Sequence, residues 1–346
     1  VALASQFGEG ALWQIITKGF SPKAKLMVKM CQTAKTKMMR EGDYGLEPRS
    51  SYEASPNEKD LVTLEWNALG ETYLVFEDPG KIENIAKKSG RMLFDKEEKA
   101  LNDITGGLQF STPDDFINTL GANLSAAADG LWDDSTWLHG CIGWRMPLCG
   151  WRAAYVGDVL GWNTRAISHF DAYAKSQVTN VEPIYPHPSQ DSTNNLARGE
   201  EKWGTQMYSN GYICRYPNRN DNMNHYDMNL NYIDELLWHF SYDADTVMMK
   251  RLWPVLKLNI EWEKRNWDPD GDHLYDAYCC IWASDALYYN SGAVTHSSAY
   301  NYRANKLMAR IASIIGEDPK PYYEEADAIL KAMNSRLWIK DKKHWA

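Results

Sequence analysis

Several absences narrow what this chain can do. Lysine and arginine number 37 against 46 aspartates and glutamates, a formal net charge of -9, and no basic stripe runs along any segment. Phosphate neutralisation needs clustered positive charge, so a nucleic-acid surface is excluded as a partner. There is no apolar run of about 18 residues, and the sequence predicts no membrane insertion. The six cysteines, Cys31, Cys141, Cys149, Cys214, Cys279 and Cys280, lack CxxC or Cys/His ligand spacing, which argues against structural zinc. A Cys141–Cys149 bridge stays open beside the plainer reading of buried free thiols. GxSxG, HExxH, a P-loop and a strand-borne GxGxxG are all missing, so neither a metal nor another cofactor is expected. Phenylalanine is scarce at 8, whereas Trp reaches 15 and Tyr 20. Indole and phenol rings carry an apolar face and a polar edge, and sugar rings are one ligand class that uses such surfaces.

The tryptophans are unevenly placed: Trp13 and Trp66 lie in the first 113 residues, and the rest lie between Trp132 and Trp345. Segments 23–31 and 61–66 alternate apolar and polar side chains, and 72–76 is a short apolar run, so 1–78 reads as strands from the end of a β-sandwich. Asp78-Pro79-Gly80 marks a turn, after which 79–113 reads as a linker helix ending at Gly106-Gly107. From 114 to 346 the periodicity is helical. Candidate helices are 114–131, 148–178 (two), 226–242, 246–266, 297–316 and 321–337, with long aromatic loops at 179–225 and 267–296. Helix pairs joined by long loops on one side and short turns on the other predict a mainly α fold, an (α/α)6 toroid cut short, with a bundle or solenoid as the alternative. The start, VALASQFGEG, has neither an initiator Met nor a charged-then-apolar leader, and reads as the start of a fragment.

Three segments could carry chemistry. Segment 132–158 gathers His139, Trp144, Arg145, Trp151, Arg152 and Asp158. Arg and Asp beside indole faces can hold a polyhydroxylated ring, though a salt-bridge cluster with Trp packing is the structural alternative. Segment 222–238 places His225 and Asp227 at a helix start, where the dipole favours an acid, with Glu235 further in. In segment 267–300, Asp268-Pro269-Asp270-Gly271-Asp272 lacks the glycine and glutamate places of a calcium loop and reads as a tight turn. Asp285, among Trp282, Tyr288 and Tyr289, has surroundings that would raise its pKa toward that of a general acid; a loop-bracing aspartate is the alternative.

These residues carry a resemblance. The layout resembles bacterial glycoside hydrolases with a β-sandwich, linker helix and α/α toroid: α-L-rhamnosidases, trehalases and glucosidase I-type α-glucosidases. The segment from Met146 to Asp158 is similar to a rhamnosidase run, matching at Pro147, Arg152, Gly157 and Asp158. Gly150 and Trp151 stand where that run is acidic, so its acid cannot act here. Asp285 in Trp-Ala-Ser-Asp resembles the general acid of trehalases and glucosidase I relatives. Segments around Thr112-Pro113-Asp114, Trp144-Arg145, Gly150-Trp151-Arg152 and His296-Ser297-Ser298 resemble those of large uncharacterised proteins from polysaccharide-degrading bacteria. The resemblance implies a glycosidase on a poly- or oligosaccharide, periplasmic or extracellular, with Asp285 as acid and a base beyond Ala346, or else Asp227 or Glu235. It also implies a sugar-binding wall of His139, Trp144, Arg145, Trp151, Arg152, Asp158, His225, Trp282, Tyr288 and His296. Two other readings remain: a non-catalytic glycan-binding protein, and a lyase using Tyr288 or His296 with Arg145 or Arg152.

Overall fold

In a computed structural model the described residues are 2–4, 10–21, 23–30, 62–67, 70–77, 81–140, 146–150, 152–183, 203–204, 207–223, 227–276 and 292–346. Of the candidate site residues, Trp144, Arg145, Trp151, His225, Trp282, Asp285 and Tyr288 lie outside them, as do Cys31, Cys141, Cys279 and Cys280. The described chain is mainly helical and divides into two compact units, Val1–Asp129 and Gly130–Ala346.

In the first unit, period-2 segments give β1 (Ala2–Ala4), β2 (Ala11–Thr17), β3 (Lys25–Met30), β4 (Val62–Asn67), β5 (Gly70–Glu77) and β6 (Lys81–Ile85). The order β1-β2-β5-β6 forms an antiparallel sheet with Leu12 opposite Val75 and Tyr73 opposite Ile85, and β3 pairs with β4 separately. Strand β6 corrects the expected helix start. Residues 81–85 pair with the edge of β5, whose backbone groups would otherwise lack that partner, and the helix α1 begins only at Lys87 and runs to Thr105. Leu3, Leu12, Tyr73 and Phe94 form the core between sheet and helix. Gly90 allows that approach, since a Cβ there would lie 2.4 Å from Tyr73.

Helix α2 (Asp115–Gly130) follows the expected cap, with Asp114 Oδ1 accepting from the Phe116 N–H at 2.8 Å. Its packing differs from its apolar spacing. Phe116 is 87% exposed and Leu120 and Leu124 are also exposed, while Gly121, Ser125 and Ala128 are buried. The reason is local: the 108–109 backbone crosses the helix so closely that a Cβ on Gly121 would stand 2.1 Å from the Leu108 carbonyl.

The second unit opens with short strands β7 (Trp132–Asp133), β8 (Thr136–His139) and β9 (Met146–Pro147) in one sheet. Helices α3 (Tyr155–Val159) and α4 (Asn163–Ala174) are the expected pair, parted by Gly161 at φ +71°. Then come α5 (Asp227–Tyr242), α6 (Thr246–Trp267), α7 (Thr295–Ile315) and α8 (Lys320–Ala332). A π-helical turn (Met333–Leu337) and a hairpin of β10 (Trp338–Ile339) and β11 (His344–Trp345) follow. Gly316, at φ +87°, closes α7, and Pro319 precedes α8, as the helical hairpin predicts.

Two aromatic-rich cores hold this unit. Trp137, Phe170, Tyr232, Leu236, Trp253 and Met308 belong to one, and Tyr212, Trp262, Trp267, Tyr275 and Ile329 to the other. Helix α5 is buried on nearly every side. Cys149 and Cys214 are buried and free, and Cys141 lies outside the described residues. Among the described residues, no helix is long and apolar enough to cross a membrane.

Candidate active site

The site grows from polar residues spaced at helical intervals inside helices that packing has buried. On α5 these are Asp227, Asn231, Asp234 and Glu235; on α6 Asn259, Glu263 and Asn266; on α7 Ser297, Asn301 and Asn305. Spacings of i, i+4 and i+7 or i+8 put each set on one helix face. A buried carboxylate or amide is unfavourable unless partnered, and these three stripes on neighbouring helices form polar faces inside the core, several of their amides donating to backbone carbonyls.

Beside Glu263 is a small cleft, with room for about one water molecule, lined by Leu230, Asn259, Ile260, Tyr300, Asn301 and Ala304, among others. Glu263 Oε2 accepts from the Asn301 side-chain amide at 3.5 Å, and Oε1 has no partner among the described residues. Burial pushes the Glu263 carboxyl up to about 8; the Asn301 bond opposes this and the charge of Asp227 adds to it. Asp227 is fully buried in the first turn of α5. Glu263 thus holds a proton near neutrality, poised to give it up in a mildly basic range.

Glu235 is fully buried two turns into α5, and neither of its oxygens meets a donor at bonding geometry among the described residues. Burial holds its carboxyl well above the usual carboxylate range; the Arg152 backbone N–H and guanidinium pull it down, and Asp234 pushes it up. It lies, then, beneath the loop that carries Arg152. That loop presses on α5: a Cβ on Gly150 would stand 2.3 Å from both the Met228 carbonyl and the Tyr232 nitrogen, and Asn231 Nδ2 donates to the Gly150 carbonyl at 3.4 Å. Arg152 itself is exposed and left-handed at φ +64°, a conformation that non-glycine residues adopt at a cost and often at functional positions. Asp234 is neutralised by Arg303 Nε at 2.5 Å and by the Tyr155 hydroxyl, which donates to its other oxygen.

The predicted residues part company here. Asp227 and Glu235 are buried on α5, with Arg152 near Glu235, and Tyr300 lies within the fields of Asp234, Arg152 and Glu235. His296 sits half-buried in the first turn of α7, its Nε2 3.2 Å from the Ser297 hydroxyl, and burial lowers its pKa to about 4, so it is neutral. His139 ends β8, in register with Met146. Asp158 is buried in α3, with Oδ1 2.6 Å from His239 Nδ1. Glu263, Asn301 and Arg303 were not singled out by sequence reasoning. The available signal was the Asn259, Glu263, Asn266 spacing inside an otherwise apolar helix.

Three solved structures resemble the fold. The chain aligns over 99% of its length with 34% of a GH78 family rhamnosidase of Bacillus sp. GL1, at 12% identity and a TM-score of 0.50. It is also similar to a Streptomyces avermitilis α-L-rhamnosidase complexed with L-rhamnose, at 14% identity, 96% and 29% coverage and TM-score 0.47. A rhamnosidase from Klebsiella oxytoca with rhamnose bound gives 13% identity, 100% and 65% coverage and TM-score 0.46. The chain spans about a third of the Bacillus enzyme. No protein-family model and no curated protein matches the sequence.

Proposed function

We propose that this chain is part of a glycoside hydrolase acting on a poly- or oligosaccharide. The observation that carries the proposal is a set of buried carboxylates, Glu235 near Arg152 and Glu263 near Asp227, in a fold similar to the Bacillus rhamnosidase. Hydrolysis of a glycosidic bond uses one carboxyl group as acid and a second as base or nucleophile. In this reading Asp285 donates the proton to the leaving oxygen. Asp227, at the positive end of α5, is the better placed of the in-chain candidates for an ionised partner. Glu235, kept protonated and away from solvent, acts as a positioning residue under the Arg152 loop. The two units are the end of a β-sandwich and part of an α/α toroid, and the protein works in the periplasm or outside the cell.

Release of reducing ends from rhamnose-containing and other plant or algal oligosaccharides tests the reading. Hydrolysis by the native chain, with kcat reduced by about a thousandfold in Asp285→Asn and Asp227→Asn, is the expected result. Hydrolysis that persists in Asp285→Asn removes the acid assignment. Glycan binding without new reducing ends would replace hydrolysis with recognition, and an unsaturated uronide product would identify a lyase.

A further inference from the structure

The loop leaving α6 carries carboxylates that the glycosidic reading does not use. Asp268, Asp270 and Asp272 each offer an oxygen, and these oxygens lie within 4.8 Å of one another. Asp268 is the C-terminal cap of α6, the end of a helix that carries partial negative charge, so anions gather where a cation is favoured. Asp268 is only 4% exposed, yet its Oδ2 has no hydrogen-bond partner. Its Oδ1 accepts from the His273 N–H at 3.2 Å. A buried carboxylate oxygen without a hydrogen-bond donor, on a side chain grouped with two other carboxylates, is the feature a cation would satisfy.

The nearby positive groups are engaged elsewhere or reach only one member. Lys264 Nζ lies 2.6 Å from Glu325, His273 Nδ1 lies 3.3 Å from the same carboxylate, and Arg336 pairs with Asp272. Among the described residues, no ion pair reaches Asp268 or Asp270.

We propose that Asp268, Asp270 and Asp272 form a calcium site. Carboxylates alternate at the first, third, fifth and ninth places of the loop from Asp268 to Asp276, with the Leu274 carbonyl at the seventh, the odd-numbered pattern by which a loop wraps a hard cation with oxygen ligands. The sequence objections were the missing glutamate at the twelfth place, Cys279, which lies outside the described residues, and the missing glycine at the sixth. His273 occupies that place and adopts the left-handed turn without it, at φ +63°. A second group, Asp268 with His273 and Glu325, would bring an imidazole. Its Glu325 already accepts from Lys264, and Tyr275 also donates to it. The all-oxygen set therefore fits calcium better. The ion would tie the end of α6 to Asp276, which bridges to Ala293 ahead of α7.

The test uses the full chain stripped by chelation. Calcium titration by calorimetry is expected to give saturable binding at about millimolar or tighter affinity and a Tm rise of about 5 °C at saturation. Terbium in place of calcium is expected to luminesce on excitation of tryptophan, with Trp267 adjacent to the site. In Asp270→Asn, whose altered side chain is exposed, affinity falls at least tenfold and the Tm rise is lost, while the Tm without calcium stays the same or rises. No calcium uptake by the native chain overturns the proposal, as does native affinity in Asp270→Asn. Zinc binding that survives Asp270→Asn but is lost in His273→Ala would move the ion to the other group and equally overturn it.

Discussion

At the residue scale, Glu263 makes the most direct prediction. Its folded pKa, about 8, lies above the ordinary value of 4.5, so the folded state keeps a proton that the unfolded chain has released. Between those values stability falls as pH rises, by up to about 1.4 kcal/mol per unit, and the loss is complete above the folded pKa. Urea midpoints for the native chain should therefore drop between pH 5 and pH 8, and Glu263→Gln should flatten the drop; an unchanged slope would remove the burial argument. Gly150 supplies a second. A methyl group there meets backbone atoms of α5 at 2.3 Å rather than a yielding side chain, so Gly150→Ala should cost about 3 kcal/mol, read as a shift in the denaturation midpoint. Asp227 and Arg152 stood out in the sequence as candidates because a helix start and an Arg beside glycine and tryptophan are local signals. Asp158 was equally conspicuous, and its pairing with His239 was not legible, because which side chain lies opposite it is a matter of α3 meeting α5. Glu263 was silent in sequence for the converse reason: a lone acid on a long helix usually faces water, and only packing put this one inside.

At the element scale, local chemistry set most boundaries. Asp245 caps α6, its Oδ1 accepting from the Val247 and Met248 N–H groups at 2.8 and 3.1 Å. Asp245→Ala should lower stability by about 1 kcal/mol, and Asp245→Asn by much less, as measured by thermal denaturation. Helices α4 to α8 begin or end near residues whose capping or turn preferences are visible in the chain. The exceptions have a common cause. Residues 81–85 have enough charge to suit a helix, yet they became a strand because β5 had a pairing edge to fill. The apolar stripe of α2 gave the helix correctly but misplaced its buried face, because the 108–109 backbone passes over its small residues. Periodicity reports the element; neighbours decide which side is inside.

At the scale of the whole molecule, the two units should unfold as separable steps. Only Trp13 and Trp66 lie in the first unit, so tryptophan fluorescence follows the second almost alone, whereas far-ultraviolet dichroism follows both. Noncoincident thermal transitions by the two probes are the expected outcome, and coincident ones would mean a single cooperative body. The sequence by itself determined the mainly helical content, the strand-rich start and most helix limits, since these follow from composition and short-range periodicity. Only the tertiary structure decided that Glu263 is buried near Asp227 and Glu235 near Arg152, that Asp158 meets His239, and that Asp268 Oδ2 is left without a hydrogen-bond partner. Burial and carboxylate pairing depend on residues distant in the chain, and no local pattern encodes which of them will meet.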